Sequence, residues 1–120
     1  MTEYDTHLDI KYGPLERIDI NDLAGAVTHL WWNQTLCRVN DSVVRLGVLH
    51  GEYHWHTHAD EEEFFLVLEG RLIIDLRDGA IELGPHQATV IPRGVEHRPR
   101  APERTVVVMM EGADVVPTGD

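Results

Sequence analysis

From Leu36 onward the chain is a succession of short β-prone runs, each stopped by a turn signal, and few folds accommodate such a pattern. The runs are Leu36 to Val39, Val43 to His50, Phe64 to Leu68, Arg71 to Leu76, Ala80 to Leu83, Ala88 to Ile91 and Thr105 to Met110. Between them stand Asn40-Asp41, Glu69-Gly70, Asp78-Gly79, Gly84-Pro85 and Arg93-Gly94, all pairs that favour turns. Asp78-Gly79 carries the strongest hairpin signal, because a type I′ turn needs residues that accept positive φ. No helical pattern alternates with the strands, so the expected architecture is an antiparallel sandwich or barrel rather than a βαβ sheet.

Residues 1 to about 18 show little periodicity and read as an extended arm. Asn21 is a plausible N-cap, and Leu23, Ala26, Val27 and Leu30 have the spacing of a short helix over Asp22 to Trp32, which Gly25 and Thr28 weaken. The expected organisation is therefore an N-terminal arm and short helix over 1–35 and a barrel over 36–120, forming one domain. Phe64 to Leu68 and Val106 to Met110 are apolar on both faces. One face fills the barrel, and the other needs a cover from the arm, another sheet or a second subunit, which makes a homodimer an expectation.

Length and composition fit this reading. A chain of 120 residues, 42% hydrophobic, can bury one ordinary core, and no apolar run approaches the ~20 residues that span a bilayer. The acidic start is not followed by an apolar stretch, so a cytoplasmic location without a membrane partner is expected. A formal charge of −11 with scattered Lys and Arg argues against nucleic acid. Cys37 is the only cysteine, which excludes an internal disulfide and a cysteine-rich zinc site.

The chemistry concentrates in the histidines. His54, His56 and His58 recur at two-residue spacing and run into Asp60 to Glu63, and His97 follows Pro92-Arg93-Gly94. In an extended segment the three clustered imidazoles would share a face. Imidazoles joined by one carboxylate suit a divalent transition metal such as iron, manganese, nickel, zinc or copper, and not calcium or magnesium, which prefer oxygen shells.

The spacings Gly51-x4-His56-x-His58-x4-Glu63-x6-Gly70 and Pro92-x-Gly94-x2-His97 resemble the two motifs of the cupin superfamily. Residues about 43 to 120 are similar to small single-domain bacterial cupins labelled phosphomannose-isomerase-like, as Glu63 to Gly70, Leu83-Gly84-Pro85 and Val90 to Pro99 also indicate. The resemblance implies an all-β double-stranded β-helix, the cupin jelly-roll barrel. It also implies one divalent metal on His56, His58, Glu63 and His97, with Glu62 the competing carboxylate. The chain departs from the pattern at three places. His54 stands where an apolar residue is usual, and reads as an acid or base beside the metal, an alternative ligand or a substrate contact, or else as an inward-facing hydrogen-bonded histidine inside the barrel. His86 replaces a glycine and Ala101 an asparagine of the second motif.

Tyr53, Trp55 and Phe65 are candidate pocket walls, and Arg93, Arg98 and Arg100 are either contacts for an anionic ligand or a solvated rim. The expected function is a small metal-dependent enzyme acting on a carbohydrate-like or other oxygenated small molecule, of isomerase or dioxygenase type. The alternative is a non-catalytic metal-dependent module that binds or senses a small ligand, and a third reading gives the metal only a stabilising role.

Overall fold

The computed structural model of the chain describes residues 4–119. Strand β1 (Tyr4–His7) and helix α1 (Ile20–Gly25) precede β2 (Trp31–Val39), β3 (Ser42–Glu52), β4 (Glu63–Glu69), β5 (Leu72–Leu76), β6 (Gly79–Leu83), β7 (Ala88–Ile91) and β8 (His97–Gly112). The strand order is β1-β2-β3-β8-β4-β7, with β5 joining β8 and β6 joining β5. All of these pairs are antiparallel except β1 with β2. The result is mostly β and consistent with the expected double-stranded β-helix.

β8 organises the barrel. Its first residues pair with β5, from Leu76 opposite His97 to Ile73 opposite Arg100, and its later ones pair with β4, from Val106 to Met110. β3 runs along its other side. The strand therefore begins before the expected Thr105, at His97, despite Pro99 and Pro102. The Pro99 carbonyl accepts the Tyr53 N–H at 3.0 Å, and Pro102 falls where the β3 register breaks between Ala101 and Thr105. A proline in such a break interrupts no ladder.

Alternation sorts the side chains into two cores. Trp31, Leu49, Phe65, Val67, Ile74, Val107 and Met109 fill the barrel, while Trp32, Leu36, Leu46, Val48 and Val106 form a second cluster outside it. The N-terminal residues Tyr12, Ile18, Ile20, Leu23 and Val27 pack on that second cluster, so the arm supplies a cover for an outer apolar face. Its main chain is tied to β2 by the Lys11 and Tyr12 N–H groups, which donate to Thr35 and Leu36 carbonyls at 3.2 and 2.9 Å. Val90 and Met110 remain exposed on the rest of the outer surface.

Two local expectations change. The helix is capped by the Asp19 carboxylate, which accepts the Asp22 N–H, instead of by Asn21, and it stops at Gly25 instead of reaching Trp32. Trp31 and Trp32 are taken into β2 because each fills a different core, and that burial outweighs the weak helical spacing. The β5–β6 hairpin forms where expected, with Leu76 opposite Gly79, but neither Asp78 nor Gly79 has positive φ, so its turn is not type I′.

Gly70 does need its glycine. Its φ is +89°, and an added Cβ would lie 2.5 Å from Thr105 Oγ1 and 2.6 Å from the Arg104 carbonyl. Gly70→Ala is expected to lower stability by about 2 kcal/mol or more. Gly79→Ala, with nothing within 4 Å of the new methyl, should stay within about 0.5 kcal/mol of the parent. Urea denaturation of the two variants checks the contrast.

Candidate metal centre

β3 ends at Glu52, opposite Arg100, and residues 53–62 leave the regular ladder. A straight continuation would set Trp55 opposite His97, but His56 holds that place, so one extra residue is accommodated between them. The slip corrects the simple period-two expectation: His54 and His56 are no longer constrained to one face. His56 and His97 form an isolated bridge in which each N–H donates to the other's carbonyl at 3.0 Å. The Gly94 N–H, on a residue with φ +76°, donates to the His58 carbonyl at 2.8 Å. These bonds tie the histidine segment to the loop before β8.

The side chains converge as a result. The His56 ring lies 4.3 Å from that of His97 and 5.0 Å from that of His58, centroid to centroid. Glu63 opens β4 opposite Ile91 and points inward, with Oε1 3.2 Å from His97 Nε2 and 3.9 Å from His58 Nε2. One donor atom each from His56, His58, Glu63 and His97 lies within 4.8 Å of the others. All four residues are buried, whereas Glu61 and Glu62 are exposed.

The hydrogen bonds fix which ring nitrogen faces the cluster. His56 Nδ1 is 3.1 Å from the His54 carbonyl and His97 Nδ1 is 2.9 Å from that of Val95. A carbonyl only accepts, so both Nδ1 atoms carry protons and both rings turn Nε2 inward, the nitrogen that a metal would take. His97 Nε2 lies 3.2 Å from a Glu63 oxygen, so the two potential ligand atoms face each other across the space a cation would take. Burial, with the neighbouring His97 adding to it, pushes the His56 pKa down to about 4, so the ring is neutral near pH 7. Burial raises the Glu63 carboxyl, but hydrogen bonds with His97 and Glu111 and the nearby His58 outweigh it, leaving the group below its ordinary value. The cluster is suited to holding a metal ion.

His54 stands apart from these four donors. Its Nε2–H donates to the Thr118 carbonyl at 2.8 Å, and its ring stacks on Tyr53 with centroids 4.3 Å apart. Tyr53 in turn donates its hydroxyl to the Pro117 carbonyl at 3.2 Å. Gly119 packs so closely on His56 that an added Cβ would lie 3.1 Å from the His56 Cβ. The segment Pro117 to Gly119 thus lies against the histidines as a strap.

A cavity of about 40 Å³, enough for a few waters, joins His56 and Glu63 to Trp31, Tyr53, Phe65, Met109, Arg45 and Glu111. The last two form a buried pair, Arg45 Nε being 3.6 Å from Glu111 Oε1. Arg45 also donates to Thr35 Oγ1 at 3.0 Å and to Asn33 Oδ1. The arginines singled out from sequence are elsewhere. Arg98 and Arg100 both donate to Asp75, Arg93 is exposed beside Glu61 and Glu62, and Trp55 carries the Arg77 guanidinium 3.9 Å above its ring. His86 is exposed with φ +67°, a conformation that explains why glycine suits this turn.

The cupin domain family (Cupin_2) matches residues 43–112, which span the first and second histidine motifs. The chain is a cupin. It is 42% identical over 90 residues to the uncharacterized protein YdbB of Bacillus subtilis (strain 168), covering 74% of this chain and 80% of that one. The crystal structure of a cupin-2 domain containing protein from Shewanella frigidimarina superposes with a TM-score of 0.75 at 38% identity, covering 79% of this cupin and 93% of that chain. Protein NMB1881 from Neisseria meningitidis superposes with a TM-score of 0.72 at 28% identity, covering 81% of this cupin and 99% of that chain.

Sequence reasoning missed Arg45, Glu111, Asn33 and Thr35, although the signal was present. Each is a polar residue at the inward parity of an otherwise apolar strand: Arg45 shares parity with Leu49, Glu111 with Val107 and Met109, and Asn33 with Trp31.

The His56 shift fixes a pH dependence. The folded state declines a proton that the unfolded chain takes up, so this contribution is present above the ordinary value of 6.5 and lost as pH falls towards about 4. The depressed Glu63 acts in the same direction. Metal-free protein is expected to lose on the order of 3 kcal/mol from His56 across this interval, measured by chemical denaturation at a series of pH values.

Proposed function

We propose that this cupin is a small metal-dependent enzyme acting on an oxygenated small molecule of carbohydrate-like type, with one divalent transition metal held by His56, His58, Glu63 and His97. The observation that carries the reading is the convergence of three buried imidazoles and one buried carboxylate, with donor atoms within 4.8 Å of one another. Three nitrogens and one oxygen fit iron, manganese, nickel, zinc or copper better than calcium or magnesium. When bound, such a metal supplies Lewis-acid polarisation of a substrate oxygen, or a site for dioxygen if it is redox-active.

The protein's own residues supply the remaining functions. The backbone carbonyls of His54 and Val95 orient the His56 and His97 rings. Trp31, Leu49, Phe65 and Met109 give the cavity an apolar wall that limits water. His54 and Tyr53 hold the strap through the Thr118 and Pro117 carbonyls, so His54 acts by positioning Thr118.

Elemental analysis of the purified protein and of His97→Ala tests the site. The parent should hold close to one transition metal per chain, and the variant should bind it more than about tenfold more weakly. No metal in the parent after growth and purification in metal-replete conditions would defeat the assignment. Oxygen uptake and carbonyl-isomerisation screens on the loaded protein then separate the dioxygenase and isomerase types, and zinc without turnover indicates a binding module.

A further inference from the structure

Charge inside the barrel points beyond the metal ligands. Arg45 is 3% exposed and Glu111 4%, and both line the cavity that His56 and Glu63 enter. With a divalent ion in place, the Glu63 and Glu111 carboxylates together offset the ion and the guanidinium charge remains over. Uncompensated charge against largely apolar walls is costly, so the cavity favours an anion.

Arg45 is built to receive one. Strand pairing fixes it between Thr35 on β2 and Met109 on β8, and its three nitrogens are braced by Thr35, Asn33 and Glu111. A guanidinium has five N–H groups, so donors remain on a side chain whose orientation is already set. Arg98 and Arg100, by contrast, are engaged with Asp75. The cavity, about 40 Å³ and walled by Trp31, Leu49, Tyr53, Phe65 and Met109, admits only a small group.

We infer that Arg45 is the anion anchor of this cavity, and that the ligand is a small monocarboxylate with a second oxygen for the metal, of the 2-hydroxy or 2-oxo acid class. The inference rests on the metal site proposed above and narrows its ligand. Arg45 holds the carboxylate by charge-assisted hydrogen bonds, and Glu111 limits how strongly the guanidinium attracts it.

Cobalt(II)-loaded protein tests this, with glycolate and its neutral analogue glycolamide as probes and the visible absorption of the bound cobalt as readout. Cobalt content is measured for every variant. The parent should bind glycolate more tightly than glycolamide. In R45Q/E111Q, which removes both members of the pair and leaves no unpaired charge, the ratio of the two affinities should fall by about tenfold. In E111Q, which keeps Arg45 and removes its countercharge, the ratio should rise. A ratio unchanged within about twofold in cobalt-loaded R45Q/E111Q overturns the assignment of Arg45, as does an unchanged or lower ratio in E111Q. Failure of the parent to take up cobalt defeats the metal reading itself and this inference with it, an outcome that cobalt content distinguishes from the others.

Discussion

The main-chain ladder of β8 is the constraint on which the barrel rests, because this strand pairs with β3, β4 and β5. Its first residue, His97, lies on the β5 side of the barrel, while its later residues bring β3 and β4 together. A change of register here would move Arg45, Glu63 and Glu111 relative to the histidines, because those residues sit on the strands that β8 joins. Thr105 pins the middle of the strand. Its hydroxyl accepts the Arg71 N–H and lies within hydrogen-bond distance of the Arg71 and Glu103 carbonyls, and it is fully buried.

The site combines two kinds of polar burial. The outer nitrogens of His56 and His97 are bound to backbone carbonyls and the His56 ring is neutral near pH 7, so burial of these rings needs little compensation beyond the carboxylate and a cation. Arg45 and Glu111 form a charged pair, braced by two neutral side chains in the same enclosure. Such pairs rarely add much to stability, because desolvation offsets their attraction. Placing one beside a cluster suited to metal shapes the potential of the cavity instead.

Much of this was legible in the sequence. The short β runs and their turns located every strand from β2 to β8, and Ala88 to Ile91 agreed at both ends. The motif spacing selected the four residues whose donor atoms come together. Boundaries failed where tertiary burial decided them: Trp31 and Trp32 belong to a strand because two cores flank it, and β8 runs through two prolines because its neighbours hold it. The position of His54 was hidden by a single-residue slip that no local pattern announces. Arg45 and Glu111 were overlooked because a lone charge in an apolar strand reads first as an outward residue, and only the inward parity of its neighbours shows otherwise.

The strand that interrupts the expected helix also gives the protein a set of optical reporters. Trp31 stacks on Tyr53 at 5.3 Å and lines the cavity, Trp32 lies in the outer core beneath the N-terminal arm, and Trp55 sits at the surface under Arg77. Three indoles thus occupy three separate environments. Emission from Trp31 reports on the cavity that His56 and Glu63 enter, whereas Trp32 follows the seating of the arm, so filling of the site and loosening of the fold leave different spectral signatures.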